Sequence, residues 1–167
     1  NSLLYIGDFT KNKNVPYLIS LKQKYFKDVT LNIVGSFGAD EKQVISLCEN
    51  DNTLQYYGRI NDRIALKDIF QRSDVFCMLS KHETFGLTYI ESLSQGVPII
   101  YTKGQGVDGY FSAKIVGYAA EYKSEKSFID CLDNIAKNYH TLSKNAVELS
   151  LKFDWTEISK KYIDLYF

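Results

Sequence analysis

Residues 75–101 read VFCMLSKHETFGLTYIESLSQGVPIIY. The stretch opens on a continuous apolar run, Val75-Phe76-Cys77-Met78-Leu79, and closes on a second, Val97-Pro98-Ile99-Ile100-Tyr101. Between them lie a polar loop, a Phe85-Gly86 pair at which a helix opens, and Gly96, at which that helix closes. Short apolar runs bounded by turn residues are the signature of strands buried on both faces. A strand, a loop, a helix and a second strand in this order make a parallel βαβ unit.

The same alternation extends in both directions. Strands are expected at residues 3–6, 30–34, 53–57, 75–79 and 97–101, with a sixth at 114–119 weakened by Gly117. Helices are expected at 15–26, with Pro16 harmless in the first turn, at 39–49, and at 62–71 with Asn61 as its cap. A helix at 85–95 follows, and then helices at 125–138, 141–151 and 155–166. Right-handed crossovers turn this order into a Rossmann-like, doubly wound parallel sheet of about six strands. Helices cover both faces, and a helical C-terminal tail has no strand to pair with. That tail should pack on the sheet's flank or reach to a partner domain.

The chain has 167 residues, of which 45% are hydrophobic, so a single domain over 1–167 with a real core is expected. Asn1 does not look like a natural start, and the chain opens directly into a strand, so it reads as an excised domain. Lys plus Arg equals Asp plus Glu at 20 each, which argues against broad nucleic-acid binding. No apolar run reaches the roughly 18 residues of a membrane span. Cys48, Cys77 and Cys131 are odd in number and widely spaced, and read as reduced, mostly buried thiols of a cytosolic protein. His82 and His140 are the only histidines and lie far apart, so no metal spacing is legible.

Ligands of open α/β sheets bind outside the carboxyl ends of the strands, and the unusual residues of this chain cluster there. Gly7-Asp8 through Lys13-Asn14 follows strand one, Gly35-Ser36-Phe37-Gly38 strand two, and Gly58-Arg59-Ile60 strand three. Ser80-Lys81-His82-Glu83 follows strand four and Thr102 to Gly106 strand five. Lys11, Lys13, Arg59, Lys81 and Lys103 are candidate phosphate partners. A helix N-terminus behind a strand presents free N–H groups and a positive dipole end to an anion. Two acids flank that site, Glu83 and Glu91, with seven residues between them. Such a site suits an elongated ligand with phosphate in its middle and hydroxyls at both ends, a description that a nucleotide sugar meets. Eight helical steps separate the two acids by about 12 Å, beyond the roughly 5–9.5 Å of paired glycosidase carboxylates. They are better placed to grip two ends of one ligand than to act as an acid/base pair. Spacing alone leaves open that Glu91 is a surface glutamate and Glu83 a helix-start acid complementing the dipole.

Glu83-Thr84-Phe85-Gly86-Leu87, continued by Glu91 and by Gly96-Val97-Pro98-Ile99-Ile100, resembles the E-x-F-G-L-x-x-x-E-x-x-x-x-G-x-P signature of group 1 (family four) retaining glycosyltransferases. The likeness is to the C-terminal, donor-binding domain of their GT-B fold and runs nearly end to end. Leu4-Tyr5-Ile6-Gly7 with Lys13-Asn14, Leu31 to Gly35, Tyr57-Gly58-Arg59-Ile60 and the closing Phe153-Asp154-Trp155 with Ile158 and Tyr162 extend it.

The resemblance implies roles. Glu83 contacts the donor sugar hydroxyls and is the residue assigned to catalysis. Phe85, Gly86, Leu87 and Thr88 offer backbone N–H groups to sugar and distal phosphate, and His82 lies beside them. Glu91 binds the ribose, Lys13 meets the diphosphate, Gly7 and Gly35 let the backbone approach, and Arg59 with Ile60 flanks the base. The substrate implied is a UDP- or GDP-linked sugar, with no cofactor and no metal. The implied partner is the protein's own N-terminal domain, which binds the acceptor and gives peripheral membrane association at the inner face of a bacterial cytoplasmic membrane. Cell-surface polysaccharide or glycolipid is the implied product, and the fragment alone is expected to be inactive.

Two departures stand out. Asp8 lies where many members carry an Arg that helps neutralise the diphosphate. The Gly104-Gln105-Gly106-Val107-Asp108-Gly109 loop differs from the common Gly-Gly-x-x-Glu form. Two other readings stay open: a nucleotide-sugar epimerase on the same architecture, with His82 and Glu83 as its acid and base, and a degenerate, non-catalytic nucleotide-binding module.

Overall fold

The computed structural model describes residues 2–166. Along the chain come β1 (Ser2–Ile6), α1 (Val15–Tyr25), β2 (Thr30–Val34), α2 (Glu41–Glu49), β3 (Leu54–Tyr56) and α3 (Arg63–Gln71). Then come β4 (Val75–Met78), α4 (Leu87–Ser94), β5 (Ile99–Thr102), β6 (Gly117–Ala120), α5 (Glu125–Ser150) and, after one 3-10 turn, α6 (Trp155–Tyr166). All paired strands are parallel, in the order β3-β2-β1-β4-β5-β6.

This is a Rossmann-like sheet with helices on both sides. The chain first moves outward from β1 to β3, then returns to β4 and moves outward the other way. Right-handed crossovers therefore change face between β1 and β4, and a crevice opens above those two strands. β1 and β4 pair Leu3 with Val75 and Leu4 with Phe76, and all four side chains are buried.

The apolar runs form the core as their pattern requires. Leu4, Tyr5, Leu31, Ile33, Phe76, Cys77, Ile99 and Ile100 are fully inaccessible. Phe76 meets the ring of Tyr89 edge-on at 5.6 Å, and Tyr89 Oη donates to the Met78 carbonyl at 2.9 Å. α4 is thus pinned to β4 by one side chain that is apolar along its length and satisfied at its tip.

Strand and helix ends differ from the sequence expectation by up to three residues, and four features differ for a local reason. α3 is capped by Asp62, whose Oδ1 accepts from the Ile64 amide at 2.8 Å, while Asn61 instead accepts from Arg59 Nε at 3.2 Å. α4 starts at Leu87 and not at Phe85, because Gly86 holds a left-handed φ of 79° that interrupts the helix. The two helices expected at 125–138 and 141–151 are one, α5. Neither Gly nor Pro interrupts it, and Phe128, Cys131, Ile135, Leu142 and Ala146 continue one buried stripe. Gly117 does not weaken β6: a Cβ there would overlap the Ile99 carbonyl and lie 2.8 Å from Ile99 N, so glycine is what lets β6 approach β5. Beyond α5, α6 carries Trp155 and Leu165 about four-fifths exposed.

Candidate functional site

The β1–α1, β4–α4 and β5–β6 loops meet above the point where the sheet reverses. Lys13 Nζ lies 2.6 Å from Glu83 Oε2, a pair across 70 residues of chain whose side chains are 18% and 12% exposed. Lys13 also reaches the Met78 sulfur at 3.8 Å. The two residues are brought together because β1 and β4 are neighbours in the sheet and far apart in the chain.

Behind Glu83 comes the start of α4. No side chain among the described residues caps it. Among the described residues the amides of Phe85, Gly86, Leu87 and Thr88 have no protein acceptor. Four free donors and the positive end of a helix dipole therefore follow directly on the residue that Lys13 pairs with, and such a helix start can hold an anion. Gly86 is required where it is: a Cβ on it would lie 2.6 Å from Tyr89 and 3.3 Å from Met78. Phe85 is drawn out of the helix into a ring cluster, 4.9 Å from Tyr110 and 5.6 Å from Phe153. Leu87 is 71% exposed at the mouth of the site, and Thr88 is half-buried.

Gly7 and Gly35 bring the first two loops together. The Gly7 amide donates to Val34 O at 3.1 Å and the Gly35 amide to Gly58 O at 2.8 Å. A Cβ on Gly35 would overlap the Gly7 carbonyl oxygen. Arg59 is exposed at the end of β3, and Ile60 is half-buried against the core. His82 is exposed, and among the described residues only its backbone is held. Glu91 is exposed and has no side-chain partner among the described residues. It borders a shallow depression of about 350 Å³ with Arg63, Lys67, Phe70 and Gln95. Since Glu83 precedes α4 and is not part of it, the helical-rise separation from Glu91 does not apply. The two acids are still kept apart, one facing Lys13 and the other facing α3.

Asp8 does not point free charge at the loop. Its Oδ1 accepts from the Thr10 amide at 3.2 Å and from Thr10 Oγ1 at 2.7 Å, a turn-closing arrangement. Lys11, a candidate phosphate partner, is instead paired with Asp40 at the start of α2. Lys103 is paired with Glu121 at 2.5 Å. In the divergent loop after β5, Asp108 accepts from the Gly104 amide at 2.5 Å. Asp108 also helps burial push the Tyr101 phenol up to about 12. Burial, assisted by nearby Glu83, raises the Tyr89 phenol well above its ordinary range.

Sequence reasoning passed over Asn12 and Gln105. Both are polar loop residues of ordinary type, and only their hydrogen bonds to residues 82 and 83 distinguish them. An apolar cavity of about 400 Å³ lies at the opposite end of the sheet between Leu3, Phe26, Val75 and Ile135, and no expected site residue lines it. Among the described residues no group of three or more His, Cys, Asp or Glu is placed to hold a metal ion. Among the same residues no helix is long and apolar enough to cross a membrane.

Comparison with known proteins bears on the family and the fold. The model of the family described as glycosyl transferases group 1 matches residues 1–149. An uncharacterised 41.2 kDa protein in the cps region of Klebsiella pneumoniae is 26% identical over 99% of this chain and 46% of its own length. Glycogen synthase of Elusimicrobium minutum is 28% identical over 92% of this chain and 34% of its own. The chain thus spans less than half the length of these relatives. Among solved structures, Anabaena HepE in complex with UDP-glucose superposes with a TM-score of 0.84 at 18% identity, over 99% of this chain and 48% of that one. The C-terminal domain of a Francisella tularensis group 1 family protein, LpcC, superposes at 0.77 with 21% identity, over 92% and 86%. At these identities the superpositions establish the shared fold. The family match over most of the chain establishes the rest: this chain belongs to the group 1 glycosyl transferases.

Proposed function

We propose that this domain binds the nucleoside diphosphate sugar of a retaining glycosyl transfer, in a protein whose further domain supplies the acceptor. The observation that carries the reading is the pairing of Lys13 with Glu83 beside the uncapped N-terminus of α4. Lys13 and the free amides take the diphosphate, and Glu83 takes the sugar hydroxyls. Glu91 takes the ribose, and Arg59 with Ile60 borders the base. Gly7 and Gly35 keep the loops low enough for the ligand to lie on them.

In the reaction, the bond from the anomeric carbon to the diphosphate oxygen breaks and one to the acceptor oxygen forms on the same face. The acceptor proton passes to the departing phosphate. The chain's contribution is fixed charge and fixed dipoles at the place where negative charge develops, which need no reorganisation during the step. The Thr10 hydrogen bonds to Asp8 favour a working site over a degenerate one, because they hold that carboxylate in its own turn.

UDP or GDP is the expected nucleotide. HepE and pneumococcal GtfA, both of this fold, were solved with UDP. A relative encoded in a cps region is consistent with cell-surface polysaccharide or glycolipid synthesis at the cytoplasmic side of a bacterial membrane. No metal or other cofactor is assigned a role, and the domain alone is expected to transfer nothing.

The test is a thermal-shift and calorimetry series on the full-length protein with UDP, GDP, UDP-glucose, UDP-N-acetylglucosamine and GDP-mannose. A ligand at a hundred times its Kd adds about 2.7 kcal/mol to the folded state. A rise in Tm with one base is expected, and its absence with every compound overturns the proposal.

A further inference from the structure

Asn12 lies between Lys11 and Lys13, and all its polar atoms but the backbone amide are directed at the loop that carries Glu83. Its carbonyl accepts from the Lys81 amide at 2.8 Å. Its side-chain Nδ2 donates to the His82 carbonyl at 2.7 Å, and its Oδ1 accepts from the His82 amide at 2.9 Å. The carboxamide therefore pairs with one peptide residue in both directions, as a neighbouring strand would. The loop it holds has no secondary structure of its own.

The next residue is gripped from the other side. The Glu83 amide donates to Gln105 Oε1 at 3.1 Å, and the Glu83 carbonyl accepts from the Gly106 amide at 2.8 Å. Gly106 itself lies close: a Cβ on it would stand 3.0 Å from Glu83 Cγ. Adjacent residues of one loop thus meet adjacent residues of another, with Asn12 on the His82 backbone and Lys13 on the Glu83 side chain.

We propose that Asn12, seconded by Gln105, is a positioning residue that sets where the Glu83 carboxylate stands relative to the sugar of the donor. This rests on the reading of Glu83 given above. The residue type is demanding. Aspartate has no donor for the His82 carbonyl, serine offers one shorter-reaching oxygen in place of the two atoms that Asn12 uses, and alanine serves neither. Without the clamp the loop keeps its Lys81 and Gly106 backbone bonds but loses the fixed direction of the Glu83 side chain. Lys13 and the α4 amides keep their own places, and a Glu83 carboxylate that moves away from Lys13 leaves that ammonium no less available to the diphosphate. A side chain that acts through loop direction is felt only by the part of the ligand Glu83 touches.

The experiment measures calorimetric affinities of the full-length protein for a nucleoside diphosphate and its sugar conjugate, UDP with UDP-glucose and GDP with GDP-mannose. The variants are Asn12→Ala, Glu83→Gln and the double variant. Asn12→Ala is expected to weaken the sugar conjugate at least fivefold and the bare diphosphate no more than twofold. In the Glu83→Gln background the same change is expected to alter the conjugate less than twofold. Gln105→Ala, which removes a single bond, should show the same pattern more weakly, and it replaces Asn12→Ala if that variant does not fold. Equal weakening of both ligands, or additive losses in the double variant, overturns the positioning role. If Glu83→Gln weakens the conjugate while neither Asn12→Ala nor Gln105→Ala does, only this inference fails. If Glu83→Gln has no effect, or no diphosphate binds, the reading beneath it fails as well.

Discussion

Lys13 and Glu83 neutralise one another, and the proposed complex requires Lys13 to turn toward a diphosphate. The two roles compete, so charge removal at the two positions should move diphosphate affinity in opposite directions. At the observed 2.6 Å the direct attraction in an effective dielectric near 20 is roughly 6 kcal/mol. Hydration of two side chains that remain 18% and 12% exposed offsets most of it. What remains is the net worth of one charge-assisted hydrogen bond, about 1.5–3 kcal/mol. Glu83→Gln leaves Lys13 a weaker neutral acceptor and returns part of that amount to the ligand. It should tighten UDP or GDP binding by about three- to tenfold, at ~1.4 kcal/mol per decade. Lys13→Met removes the cation and should weaken the diphosphate by roughly ten- to a hundredfold. The same Glu83→Gln change should weaken a sugar conjugate relative to its bare diphosphate. Titration calorimetry at low and moderate salt measures all three, with Tm as the check on folding. If Glu83→Gln weakens the bare diphosphate, or Lys13→Met stays within twofold of the parent, the reasoning is refuted.

Two further outcomes concern the frame around the site. Gly35→Ala places a Cβ into the Gly7 carbonyl oxygen and 3.0 Å from its carbon, at a φ of 148°, so two backbones must part. The expected cost is about 3 kcal/mol or more, a Tm lower by roughly 6–12 °C; a loss under 2 °C in a melt would show that the loops yield freely. Asp51 is held at about 2, below the usual carboxylate range, first by the Thr53 hydroxyl and then by Gln23, with Lys22 nearby. A lowered carboxyl pKa stabilises above the unfolded value and loses that contribution as pH falls. Asp51 should therefore add at most about 2 kcal/mol near neutrality, fading between roughly pH 4 and pH 2. Asp51→Asn should melt earlier than the parent at pH 7 and converge with it in acid; a gap that does not change with pH would exclude this cause.

Most of the frame was legible in the sequence because parallel strands buried on both faces leave continuous apolar runs, and the helices between them leave periodic ones. All six strands are where those runs lie, with ends displaced by a few residues. The misplaced features are those that local pattern cannot carry. α5 reads as two helices because Asn138 to Thr141 is polar, yet nothing there breaks a helix and Tyr139 packs against the core. Gly117 reads as a flaw in a strand until Ile99 is seen beside it. At the site, the Glu83-to-Gly86 block was conspicuous because a glycine, a helix start and an acid are unusual together. Asn12 and Gln105 were silent, since a carboxamide in a loop has no distinguishing periodicity or spacing.

By itself the sequence determined the element order, the crossover handedness that follows from it, and the edge at which polar loops gather. Those depend on side-chain burial period and chain chirality, which are local. Tertiary structure alone decided which loop residues meet. Lys13 reaches Glu83, and Asn12 reaches His82, each 70 positions away in the chain, because β1 and β4 lie side by side. It also decided the fate of the charges that looked available: Asp8 closes its own turn, Lys11 is taken by Asp40, and Lys103 is taken by Glu121. An ion pair is a matter of distance in space, and no reading of residue types along a chain contains that distance.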